Sequence, residues 1–203
     1  MPPYISHRNY SIIPSISIYL PKTNTMKFIK LLSLAVLLSF VTYAATEKWF
    51  AYNNNYCTLL FPEKPEESQQ EIDSEIGKLT LDIVMYDAST NEQDKNKIYG
   101  LYRTTYPDSI INSNKKELLP SFFRGAIDGA VSNVKGTLIS EIDYNMGEFP
   151  GKEIKINYED GLAIINMRCI LIHNSLYMLQ VIYLTENDNN EACKKFLDSF
   201  HLK

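Results

Sequence analysis

The spacing of apolar residues changes several times along this chain, and each change marks an element. Two short apolar segments, KWFAY at 48–52 and YCTLLF at 56–61, flank Asn53, Asn54 and Asn55, a turn-favouring cluster that predicts a tight reversal. The acidic, Glu- and Gln-rich stretch 62–75 with its two prolines reads as an exposed connection. Leu79, Leu81, Ile83 and Met85 then alternate with Lys78, Thr80 and Asp82, the period of a strand with one buried face. After the polar loop 88–97, the tyrosine-rich run 98–106 returns as a strand ended by Pro107, and the two predict a hairpin with a long loop.

The period then becomes helical. Leu118, Phe122, Ala126 and Ala130 recur every fourth residue, as do Leu119, Phe123, Ile127 and Val131. Pro120 belongs at the start of such a helix, and Gly136 is placed to close it. Four strands follow, at 137–144, 152–158, 162–172 and 176–184, with turns expected near Phe149-Pro150-Gly151, Asp160-Gly161 and Asn174-Ser175. Cys193, Phe196, Leu197 and Phe200 then share one stripe of a closing helix, behind Asn and Asp residues suited to cap it. The pattern is that of one α+β domain over 45–203, on a mostly antiparallel sheet of six to eight strands with a central and a C-terminal helix.

The N-terminal part reads differently. Met26, Lys27 and Lys30 precede an uninterrupted apolar run at 31–41 and the small residues around Ala44, the plan of a secretory signal peptide at 26–44. The run is about half of the ~20 residues a membrane-crossing helix needs; retention as an uncleaved anchor is the competing expectation. Residues 1–25 read as a non-native extension ahead of a start at Met26. Without residues 1–44, which hold Arg8, Lys22, Lys27 and Lys30 and no acid, 16 basic residues face 24 acidic ones, a formal charge of −8. That sign argues against nucleic acid and anionic lipid as partners. The expected localisation is periplasmic or secreted, with no stable membrane association after cleavage.

The stretch RCILIHNSLYMLQV at 168–181 concentrates the candidate chemistry. Neighbours on a strand face opposite ways, so Arg168 and Cys169 cannot share a site. Cys169 and His173 share a face but stand about 13 Å apart, too far for proton transfer. A hairpin about Asp160-Gly161 places Glu153 opposite Arg168, with Ile154, Ile156, Tyr158, Ala163, Ile165 and Met167 together on the other face. A hairpin about Asn174-Ser175 pairs Arg168 with Val181 and Cys169 with Gln180. The last strand is apolar on both faces, as a central strand should be. Arg168 is therefore expected as a partly buried charge compensated by Glu153.

Cys193 reads as an inert core residue. His7, His173 and His201 are too scattered for a metal site, and the acidic loops at 63–75 and 87–94 lack the ligand spacing of a calcium loop. Three cysteines, with Cys57 the third, permit at most one disulfide. No catalytic, cofactor-binding or metal residue is assigned.

Phe61-Pro62, the hairpin, the helix and then FPGKE, MRCILIHNSLYMLQV and FLDSF resemble the PsbP-like family over 49–202. The best-matched positions are Pro150, Gly151, Glu153, Arg168, Tyr177, Leu179 and the run from Phe196 to Phe200. The resemblance implies an α/β/α sandwich and a non-catalytic accessory or binding role, shared with a Ran-binding relative and many exported bacterial proteins. The expected function is thus binding of a protein partner, or of a small apolar ligand in a groove between helix and sheet. The alternative is an exported hydrolase or thiol enzyme with its catalytic residues on loops.

Overall fold

A computed structural model describes residues 48–74 and 76–203; the expected extension, signal peptide and cleavage point lie outside the described residues. Seven antiparallel strands form the main sheet: β3 (Glu66–Ser74), β4 (Gly77–Asp87), β5 (Asn96–Thr105), β6 (Thr137–Met146), β7 (Phe149–Tyr158), β8 (Ala163–Ile172) and β9 (Ser175–Leu184). Their spatial order is β3-β4-β5-β9-β8-β7-β6. β1 (Phe50–Asn53), β2 (Cys57–Phe61) and β10 (His201–Leu202) make a separate three-stranded sheet. Helix α1 (Leu119–Asn133) lies on one face of the main sheet, and helix α2 (Glu191–Asp198) with the small sheet lies on the other. This is the expected α+β layering.

The strand patterns translate directly into faces. Along β8 every residue is buried, with Ile165, Met167 and Cys169 packed toward α1 and Ile164, Ile170 and Ile172 toward α2. β9 sits between β5 and β8 and is central, as its two apolar faces require. Helix α1 carries Pro120 in its first turn, where a missing N–H costs nothing. Helix α2 is capped by Asn190, whose Oδ1 accepts from the Cys193 amide at 2.8 Å.

Several local expectations are corrected. Residues 66–74 are not a connection: they form β3, an edge strand paired along its whole length with β4. Its side chains are almost all exposed, so it belongs to the sheet through its backbone ladder and carries no apolar period to announce it. Phe149, Pro150 and Gly151 lie inside β7; the preceding turn is Gly147-Glu148, with Gly147 at φ +60°. Gly151 instead lets two backbones close up, since a Cβ there would stand 2.4 Å from the Cys169 carbonyl oxygen.

The β7–β8 register is the expected one, Glu153 opposite Arg168, but the ladder ends at Tyr158 and Ala163, leaving a four-residue loop. The β8–β9 turn is His173-Asn174, with His173 at φ +50°, so Arg168 faces Leu179 and Cys169 faces Met178. That differs from expectation by two residues, and a slip of two keeps every side chain on its face.

At the end of α1, Lys135 takes the left-handed conformation at φ +52°. Its amide donates to Ser132 O and that of Gly136 to Val131 O, both at 3.0 Å, the paired bonds of a Schellman closure. Gly136 is needed for space rather than for its torsion: a Cβ there would lie 2.6 Å from Asn157 O and from Ile156 Cγ2.

One helix cannot cover this sheet. Seven strands at roughly 4.8 Å spacing span about 29 Å, whereas a helix is about 10 Å across. Helix α1 seats Phe123 and Ile127 against β7 and β8, and Arg124 reaches Glu141 on β6 at 2.9 Å. The α1 face of β4, β5 and β9 is left partly open, with Leu81, Ile83, Met85, Tyr102 and Met178 only half-buried.

Candidate functional site

Arg168 stands on the α2 face, 8 % exposed. Its Nε donates to a Glu153 oxygen at 3.0 Å, and Nη2 lies 2.8 Å from the same oxygen in an ion pair. Nη1 donates to Leu197 O at 2.9 Å and to Asp198 Oδ1 at 3.1 Å, and the guanidinium lies 4.3 Å from the centroid of the Tyr144 ring. Burial alone would lower its pKa, but the hydrogen bonds and charge of Glu153, with Asp198, raise it above the ordinary arginine value. The expected Glu153 partner is present. The sequence reading missed Asp198 and the terminal carbonyl of α2, through which Arg168 ties that helix to the sheet.

The three cysteines are free and buried. Cys169 is enclosed in the core under α1, whereas His173 packs edge-on against Phe149, which belongs to the core on the opposite face. Desolvation pushes Cys57 up to about 11, and Cys169 and Cys193 up to about 12. Among the described residues no group of three or more His, Cys, Asp or Glu is placed to hold a metal ion. In the acidic loop after β4, Asp94 is engaged structurally, accepting from the Tyr99 hydroxyl at 2.9 Å.

Several concavities of similar volume, about 410 to 510 Å³, indent the surface of the described residues. One, about 450 Å³, lies between the β1–β2 turn and strands β3 to β5, around Arg103. That guanidinium is held in place: it donates to Asp82 at 3.1 Å and to the Tyr177 hydroxyl at 3.2 Å, and Tyr56 covers it at 3.9 Å. With Ser175 Oγ accepting from Nη2 at 3.5 Å, three of its five N–H groups are bonded within the protein.

Another, about 410 Å³, is the groove between α1 and the open part of the sheet. Its helical wall is Gly125, Ala126, Gly129 and Ala130; its floor is Tyr102 and Thr104 from β5 and Leu176, Met178 and Gln180 from β9. No lining residue is charged. The Tyr102 ring folds back over Gly100, where a Cβ would meet its Cε2 at 2.7 Å, so the ring lies along the sheet and keeps the floor low. Nothing lies within 4 Å of where a Cβ would stand on Gly125 or Gly129. Glycine in a helix interior costs about 1 kcal/mol relative to alanine, and no neighbour among the described residues requires either one.

Arg168, Cys169 and His173 thus build no common site, and the groove residues were not singled out in the sequence. Gly125 and Gly129, spaced four apart in an amphipathic helix, were the available signal. Comparison with protein-family models and with curated proteins returns no match.

Proposed function

We propose that this chain is an exported, non-catalytic binding protein of PsbP-like type that acts through the groove between α1 and the sheet. The observation that carries the reading is an uncharged, apolar concavity of about 410 Å³ walled by two helix glycines with open space above them. Ligand sites are commonly apolar hollows of this size with a few polar groups. Thiols buried and held in the protonated form support the non-catalytic side of the proposal. The element order, with a helix on each face of an antiparallel sheet, supports the family resemblance.

A neutral fluorescent probe, N-phenyl-1-naphthylamine, tests the groove. Saturable binding with increased emission is expected for the protein as it stands, and its loss in Gly129→Leu, whose side chain fills the groove. An unchanged signal in that variant, or no binding at all, overturns the reading. Export is tested separately by sequencing the N-terminus of protein recovered from outside the cytoplasm, where Ala45 is expected.

A further inference from the structure

The hollow around Arg103 lies on the α2 face, across the sheet from the groove. Two rows of side chains cross β3, β4 and β5 there: Glu67, Val84 and Leu101 in one, Gln69, Asp82 and Arg103 in the other. Strands about 4.8 Å apart, and rows two residues of roughly 3.3 Å apart, give the patch a footprint of about 10 by 7 Å. The β1–β2 segment closes over it. The Tyr52 hydroxyl bonds Glu67 Oε2 at 3.0 Å, and the Tyr56 ring centroid lies 3.9 Å from the Arg103 guanidinium. Val84 and Leu101 are thus bordered by polar side chains from β3, from the second row and from the turn, an outline that suits one ring rather than an extended chain.

The polar groups of this hollow are open to an occupant. The Arg103 and Asp82 side chains keep 18 and 31 % exposure, and Asn55, Glu67 and Gln69 are exposed. Arg103 has one N–H left on each of Nη1 and Nη2 without an acceptor among the described residues. Glu67 engages those residues through one oxygen only. A guanidinium only donates and a carboxylate only accepts, so an occupant facing both must accept at one point and donate at another. A hydroxyl does both from a single atom.

Charge narrows the choice. The lining holds one cation, Arg103, against the carboxylates of Asp82 and Glu67, so an anion meets a net negative wall. A cation gains little, because Asp82 is already paired with Arg103 at 3.1 Å and Glu67 is open to water and salt.

We propose that this hollow is a carbohydrate site, taking one neutral sugar ring whose hydroxyls accept from Arg103 and bond Glu67, Gln69 and Asn55. It is independent of the groove on the other face.

Titration of isotope-labelled protein, followed by amide NMR, tests the site with the methyl glycosides of glucose, galactose, mannose and N-acetylglucosamine. Cyclohexanol, choline and methyl phosphate are the controls. At least one glycoside is expected to shift the amides of Asn55, Gln69 and Arg103 saturably, and to bind at least about tenfold more tightly than cyclohexanol, which offers a ring with a single hydroxyl. Gln69→Ala, at an exposed position of an edge strand, is expected to weaken that glycoside about fivefold while leaving N-phenyl-1-naphthylamine binding unchanged. The amide spectrum itself establishes that the variant is folded. No saturable shift with any glycoside overturns the proposal, as does equal affinity for cyclohexanol. Tighter binding of choline or methyl phosphate at the same amides replaces the sugar with a charged ligand and refutes it. An unaltered affinity in Gln69→Ala overturns the assigned contact, and shifts confined to α1 overturn the location. Failure of the naphthylamine probe in the groove leaves this site standing, so the two readings fail separately.

Discussion

Arg168 ties three elements of this structure together. Its head joins β7, β8 and the last turn of α2, and its removal strands the Glu153 carboxylate and the Leu197 carbonyl. Arg168→Ala is therefore expected to destabilise by about 3 kcal/mol, read from the urea midpoint at unchanged slope. Glu153 was legible as its partner because hairpin arithmetic fixes cross-strand neighbours. Asp198 was not, because a helix docks on a sheet through tertiary packing that no local period encodes.

The buried thiols make a residue-scale prediction about pH. Each has a folded pKa above its unfolded value near 9, so folding favours the protonated form. Their contribution is fully present below about pH 9 and is lost as pH rises toward 11 for Cys57 and 12 for Cys169 and Cys193. Stability should fall over that window by about 1.4 kcal/mol per pH unit for each thiol, as seen in denaturation midpoints between pH 8 and 11. Native protein at pH 8 should resist iodoacetamide, and unfolded protein should take up three equivalents.

At the scale of elements, the three glycines of α1 and its exit separate two roles. Gly125→Ala and Gly129→Ala meet no neighbour and should each stabilise by about 1 kcal/mol, raising the melting temperature by a few degrees. Gly136→Ala forces a Cβ into the Asn157 carbonyl and Ile156 and should lower it. A gain at 125 and 129 would show that the chain holds a less stable helix than it could, and that the groove, not the core, accounts for those residues.

Elements with one buried face were legible in the sequence, and so were their partners. β3 was not, since a strand whose side chains nearly all face solvent has no alternation to read. The turn at His173-Asn174 escaped for a related reason: both faces of β8 and β9 are apolar, so a slip of two residues leaves the pattern equally satisfied. A groove between helix and sheet was among the expectations, but its place and lining were hidden more deeply. It exists because the sheet is wider than the helix laid upon it, a comparison of dimensions that appears only once the strands are ordered.

For the molecule as a whole, protection against hydrogen exchange should follow position in the sheet. Amides of β8 and β9, buried and paired on both sides, are expected to exchange slowest, near the global unfolding free energy; those of the edge strands β3 and β6 should exchange first. Equal protection across the sheet would mean that it opens only as one unit. β3 carries Glu66, Glu67, Glu71 and Asp73 along its length, charges that discourage pairing with another molecule.

The β5–β9 ladder described above joins residues such as Tyr102 and Met178, so the middle of the sheet is assembled from distant stretches of chain. Closing so large a loop precedes any reward from the contacts it brings, which slows folding. Until β9 is synthesised, β3 to β5 form a half-sheet whose inner margin has no neighbour, as do β6 to β8. Both halves are then vulnerable to pairing with other chains, and the late arrival of one central strand is what seals the two open margins at once.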